Sequence, residues 1–250
     1  MVNLLKNECH KYFKSFQFVA HIGVVLFSAI VYGILIYTYG DPEALASGSL
    51  YASYMGGVLF GILIKPVIPI LMILTVCTVI AEDYSSGCMK FFLISKVKKE
   101  HMLISKMMFL MILGLFLLTM SFLMTTTIGL IVFGKGNVSM TTVLEMLKVY
   151  WLSAVMMFPL IGFTALVALV TSNYQGAIGF ALGAYLLFMA TDSVFSDLSY
   201  YSLTGGLTYS QGFLNGISSG GMKYLITAFV YIVGLFLINV TIMKRKDVVL

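Results

Sequence analysis

Long uninterrupted apolar runs limit what this 250-residue chain can become. Several exceed the roughly 18 residues that mark a membrane-crossing helix. Lipid offers no partners to backbone N–H and C=O groups, so spanning segments must be helices or closed barrels. Barrel strands alternate apolar and polar residues over about ten positions. These runs do not alternate, so the sequence predicts helices. Composition agrees. Hydrophobic residues make up 60% of the chain and charged residues only 10%, where a soluble protein carries about a quarter charged. Mean hydropathy is +1.01. The expected fold is an all-α integral membrane protein, a single transmembrane domain over residues 1–250.

Six spans can be drawn, at about 17–39, 58–81, 107–133, 149–171, 174–191 and 222–243. The first run is too long for a signal-peptide core and no small-residue cleavage site follows it, so it is read as a retained span. Orientation follows from Lys and Arg. With the N-terminus inside, the inner side holds Lys6, Lys11, Lys14, Lys90, Lys96, Lys98, Lys99, Lys106, Lys244, Arg245 and Lys246, which is 11 of the 15 basic residues. The opposite orientation would put those 11 outside. The chain is therefore read as N-in/C-in, and its net charge of +5 as an inner-leaflet signature. No basic face sits on a soluble module, which excludes nucleic acid as a partner.

Most motif matches fail on context. Residues 129–135, "GLIVFGK", fit seven positions of a P-loop, but the eighth is Gly136 instead of the Ser or Thr that holds magnesium, and the stretch ends an apolar helix. "GISSG" at 216–220 has the G-x-S-x-G form, yet no histidine follows His101 to act as base. Asn137-Val-Ser139 is a glycosylation sequon, meaningful only in a eukaryotic secretory context. Cys9, Cys77 and Cys88 are scattered, as are His10, His21 and His101, so neither a disulfide nor a metal site is expected. Gly57-x-x-x-Gly61 and Gly179-x-x-x-Gly183 permit close helix packing, read here as packing within the chain.

Lys65 is a lone cation in an apolar run. Sixteen residues separate it from Ala81, a rise of roughly 24 Å at 1.5 Å each. That places it near the outer interface, either as a snorkelling anchor or as a substrate contact. Pro66 and Pro69 should kink or open the helix beside it. At the N-terminus, residues 1–16 place Val2, Leu5, Cys9, Tyr12, Phe13 and Phe16 on one helical face. Asn3, Lys6, Asn7, His10, Lys11 and Lys14 take the other. This predicts an amphipathic helix lying in the inner interface. Residues 192–221 are too long for a structureless loop. Two short interfacial or re-entrant helices, about 193–203 and 207–217, fit their aromatic and Gly-Gly pattern.

Residues 82–106 form the single long inner loop, with eight of the chain's 25 charged side chains in the 26 residues from Ala81 to Lys106. Met89, Phe91, Phe92, Leu93 and Ile94 place an apolar patch between charged ends. A helix with that make-up suits docking into a partner's groove.

Here the sequence resembles a family, the membrane subunits of type-2 ABC exporters. Their second span ends near E-x-x-x-x-G-T, followed by a short coupling helix, P-x-x-R, and a Lys opening the third span. This chain has Glu82, Gly87 and Cys88, then Lys96 and Lys99 at the Pro and Arg positions, and Lys106 on the expected Lys. The family's N-terminal E-x-x-K-x-x-R appears as Glu8, Lys11 and Lys14, and its basic-Asp ending as "MKRKDV" with Asp247. The resemblance implies a permease without its own ATPase activity or bound cofactor. ATP and Mg belong to a separate ABC ATPase subunit, present in two copies, and the permease pairs with a second copy of itself or a related permease. Glu82, Asp83, Phe91, Phe92, Lys96, Lys98, Lys99 and Glu100 would form the interface with that ATPase. Closure of the ATPase would push the 82–100 helix and open an outward path between the first, second and fifth spans, capped by 192–221.

The cargo is barely encoded. The absence of a large outer domain and of charge within the spans favours an amphipathic or apolar substrate, such as a peptide, lipid or drug. In size and style the chain looks closest to exporters of phenol-soluble modulins and lantibiotic-type peptides. Fourteen lysines against one arginine point to an AT-rich bacterial genome, and the resemblance implies a bacterial plasma membrane. Two other classes stay open. An ion-coupled secondary transporter would need buried couplers or an internal repeat, neither evident. The other is a non-transporting membrane partner of an ATPase.

Overall fold

The computed structural model describes residues 2–39, 49–82, 99–134, 140–171, 173–195, 197–215 and 219–245. They are helical almost throughout, with no strand among the described residues. Six helices are long and apolar enough to cross a membrane: Phe16–Tyr39, Ser53–Glu82, Lys99–Phe133, Val143–Thr171, Tyr174–Val194 and Gly220–Arg245. They are called the first to sixth spans below.

Their burial is uneven. In the most apolar stretches of the second, third and fourth spans, 50–67% of residues are buried, against 11–22% in the first, fifth and sixth. The core is thus a central trio lined by Leu59, Phe60, Leu63, Met72, Leu110, Leu113, Tyr150, Met157 and Ile161. Outward-facing Phe27, Ile34, Leu187, Phe229 and Leu237 leave the peripheral spans an apolar surface, the solvent preference of lipid rather than water. Small residues set how close the trio comes. A Cβ on Gly114 would stand 2.8 Å from Met157, and one on Gly162 would stand 3.1 Å from Leu235 of the sixth span. Asn239 uses that close approach to donate to the Gly162 carbonyl at 2.9 Å.

Helix ends follow local chemistry. Gly134, at φ +72°, closes the third span in the left-handed conformation that glycine adopts without penalty. Gly129 lies within that helix, buried against Tyr51 and Tyr54. Residues 129–134 of the P-loop lookalike are thus the end of an apolar helix. Asn173 caps the fifth span, its side chain accepting from Gln175 N–H at 3.1 Å.

The second span departs from regular α-helix. A run begins at Ser49, continues as a π-helix over Gly57–Val67, becomes α-helical over Ile68–Cys77 and returns to π over Thr78–Glu82. Pro66 and Pro69 lack N–H donors, so an α ladder cannot run through them. Wider turns of this kind collect at functional sites. The run also starts well before residue 58, which leaves Lys65 16 residues from its beginning and 17 from its end.

Beyond the fifth span the chain makes three helices of one or two turns, Leu198–Tyr201, Gly205–Thr208 and Ser210–Asn215. They are shorter than the two helices expected there. They are also sunk into the bundle, with Leu203, Thr204, Gly205, Gly206 and Leu207 all buried. A Cβ on Gly205 would meet the Ser199 carbonyl at 1.8 Å, and one on Gly206 would meet Met156 Sδ of the fourth span at 2.4 Å. The Gly-Gly pair is what lets this cap enter. Tyr224 holds it from the sixth span, between the rings of Tyr200 and Tyr209 at 4.8 and 4.7 Å.

Candidate functional site

The end of the bundle that carries residues 82 and 99 also carries the N-terminal helix, Val2–Phe13. Its inward face is Leu5, Glu8, Cys9 and Tyr12, with Glu8 and Tyr12 buried. This differs from the purely apolar face expected, because Glu8 lies on it. The face packs on the beginning of the third span, so its apolar surface is used within the protein. Lys6, Asn7, His10, Lys11 and Lys14 remain exposed, together with Phe13 and Phe16.

Glu8 meets Lys106. The Lys106 ammonium is 3.1 Å from Glu8 Oε1, with both side chains buried, and it also donates to the Val79 carbonyl at 2.6 Å. Val79 lies in the π turn that ends the second span. Carbonyls at a helix C-terminus lack intrahelical donors and carry partial negative charge. One ammonium thus neutralises a carboxylate and satisfies a helix end, tying the N-terminal helix and the second span to the third.

A second chain of bonds runs beside it. The Tyr12 hydroxyl bonds His21 Nδ1, and His21 Nε2 lies 3.4 Å from Thr75 Oγ1. Thr75 donates its only hydroxyl hydrogen to the Leu71 carbonyl at 2.8 Å, so toward His21 it accepts. Nε2 therefore carries the imidazole hydrogen, and Nδ1 receives the Tyr12 O–H. Burial pushes the Tyr12 phenol up, keeping it a neutral donor. One turn before His21, Gln17 donates to Thr78 Oγ1 at 2.8 Å. Thr78 in turn lies 3.5 Å from the Tyr174 hydroxyl of the fifth span. The N-terminal helix and four spans thus meet through polar contacts in an otherwise apolar bundle. A cavity of about 290 Å³ opens between the N-terminal helix and the first two spans, lined by Glu8, Lys11, Tyr12, Gln17, Thr78 and Glu82.

Of the residues marked from sequence, Glu82 ends the second span and Lys99 and Glu100 begin the third. Glu100 pairs with Lys244 at 3.4 Å, with both side chains more than a third exposed. Lys11 lines the cavity beside Glu82, and Lys14 stands exposed in the turn before the first span. Lys65 is half-buried. Asp83, Phe91, Phe92, Lys96 and Lys98 lie outside the described residues, as do the sequon, Ser218 and the tail from Lys246. Among the described residues no cluster of His, Cys, Asp or Glu has the make-up of a metal site.

The family model for ABC-2 family transporter proteins matches residues 4–190. The chain belongs to that family. The match begins in the N-terminal helix and ends within the fifth span, so it covers the whole polar node and the 82–99 connection and stops before the cap. ABC-2 permeases are membrane transport components, not catalysts, and work with an ABC ATPase. With six apolar helices, this chain is a multi-pass membrane protein. No curated protein matches it.

The sequence alone did not bring Tyr12, His21, Thr75, Gln17 and Thr78 together as one polar cluster. One signal was present. His21, Gln17, Thr75 and Thr78 are the polar side chains facing inward near one end of two apolar runs, where each needs a partner.

Proposed function

We propose that this chain is the permease of an ATP-driven exporter that moves an amphipathic or hydrophobic substrate, most suitably a peptide, out of a bacterial cell. It lies N-in/C-in in the plasma membrane as one of two permease copies, a homodimer or a pair with a related chain. Two copies of a separate ABC ATPase bind ATP and Mg on its inner face. The 82–100 segment docks on that ATPase through Asp83, Phe91, Phe92, Lys96 and Lys98 as well as Glu82, Lys99 and Glu100. The 192–221 cap covers the outer end of the path.

The observation that carries this reading is the position of the Lys106 node. The segment between residues 82 and 99 leaves the second span three residues after Val79 and enters the third span seven residues before Lys106. Glu8 adds the N-terminal helix to the same point. A push on the connecting segment therefore acts on a rigid knot of three helices. That is the kind of element through which a partner's cycle can bias two packed states. The absence of charge from most of the spans supports an apolar or amphipathic cargo.

Co-purification tests the partnership. The tagged chain should recover an ABC ATPase from membranes, and Lys98→Glu with Lys99→Glu should reduce that recovery while membrane insertion stays normal. Unchanged recovery would mean that the lysines serve only topology, and recovery of no ATPase at all would remove the exporter reading.

A further inference from the structure

Pro69 removes a backbone donor in the middle of the second span. The carbonyl of Lys65, four residues earlier, therefore has no α-helical partner. The π stretch ends at the same place, its last bond running from Ile68 N–H to the Leu63 carbonyl. The orphaned Lys65 carbonyl accepts instead from the hydroxyl of Tyr185 in the fifth span. Tyr185 is buried, at 1% exposure. The strip of helix around the bond reaches the surface, since Lys65 is half-buried and Gly61, one turn away, is exposed with open space where a Cβ would stand.

Seven residues beyond Tyr185, about two turns along the same face, buried Asp192 accepts from Thr204 of the cap at 2.5 Å. One face of the fifth span thus holds both the break in the second span and the cap. Export through a gap between these spans must break the Tyr185 bond. It would then leave one donor and one acceptor side by side at the gap.

We infer that the Tyr185 hydroxyl and the Lys65 carbonyl form a substrate-binding pair for peptide backbone. This rests on the permease reading above and narrows its cargo from amphipathic molecules in general to those with secondary amides. In an extended peptide the N–H and C=O of one residue point the same way and exchange bonds with a facing donor and acceptor, as in a β-ladder. Such a residue donates to the Lys65 carbonyl and accepts from Tyr185, replacing both ends of the broken bond. An ester offers only the acceptor and a hydrocarbon offers neither. A site left with an unpaired, partly buried carbonyl disfavours those ligands.

The test compares a fluorescent amphipathic Leu/Lys peptide with its depsipeptide analogue, in which ester oxygens replace backbone N–H groups. Binding is measured to the complex of permease and ATPase in nanodiscs. The wild type should prefer the peptide by about tenfold. Tyr185→Phe removes the donor that amide and ester carbonyls share, so it should weaken binding of both probes and keep most of the preference. Pro69→Ala returns an N–H to the Lys65 carbonyl inside the helix and should lose most of the preference, and because it restores a regular helical bond that loss is not one of misfolding. Equal wild-type affinities for the two probes, a preference unchanged in Pro69→Ala, or binding of both probes unchanged in Tyr185→Phe, would overturn the pair while leaving peptide export standing. Binding of neither probe by a complex that still exports a labelled lipid would overturn both this pair and the peptide reading.

Discussion

Lys106 and Glu8 lie 98 residues apart in sequence and 3.1 Å apart in space, and the same ammonium donates to Val79 at 2.6 Å. Removing one partner of a buried pair leaves an uncompensated charge, at about 3–5 kcal/mol. Glu8→Gln and Lys106→Met should each lower the thermal unfolding midpoint in detergent. The double variant should recover part of the loss, a coupling that a double-mutant cycle reads directly. The exposed Glu100–Lys244 pair gives the contrast. Glu100→Gln should cost no more than about 1 kcal/mol.

The Tyr12–His21–Thr75 chain has a fixed direction. Tyr12→Phe deletes one O–H and leaves His21 Nδ1 without a donor, at about 1–3 kcal/mol. Because the ring remains, its contacts with Phe18 and Phe109 survive. The N-terminal helix should loosen without global unfolding, seen as faster trypsin cleavage at Lys11 and Lys14. Cleavage at the wild-type rate would mean that aromatic packing alone holds the helix.

The cap offers a steric prediction. Gly205→Ala puts a methyl group onto the Ser199 carbonyl, and Gly206→Ala puts one onto Met156. Each should destabilise the cap by about 1–3 kcal/mol through overpacking. Labelling of a cysteine placed at Leu207, which is 2% exposed, should then accelerate. Gly234→Ala in the sixth span meets nothing within 4 Å and should be neutral or slightly stabilising, since alanine is the better helix former.

Much of the architecture was legible in the sequence because hydropathy is a property of each run alone. Six apolar stretches give six helices, and Pro66 and Pro69 announce a disturbed second span. What the sequence concealed is which face of a helix meets which neighbour. Gly57-x-x-x-Gly61 shows the limit. Gly57 packs under Tyr32 of the first span, whereas Gly61, Gly179 and Gly183 have nothing near their missing Cβ, so the expected packing within the chain holds for Gly57 alone. Glu8 was marked as a family position, but nothing local reveals that Lys106 neutralises it. Tyr185 is one of 15 tyrosines, and its role arises from a carbonyl orphaned 120 residues earlier.

In the proposed function, ATP hydrolysed by a partner moves substrate through the helices knotted at Lys106. The direct measurement is peptide accumulated per ATP hydrolysed in proteoliposomes holding the permease and its ATPase, for the wild type and for Lys106→Met. The wild type should accumulate peptide in an ATP-dependent way, and the variant should keep hydrolysing ATP while accumulation per ATP falls at least severalfold. An unchanged ratio in the variant, or hydrolysis by the wild type with no ATP-dependent movement of peptide, would contradict it.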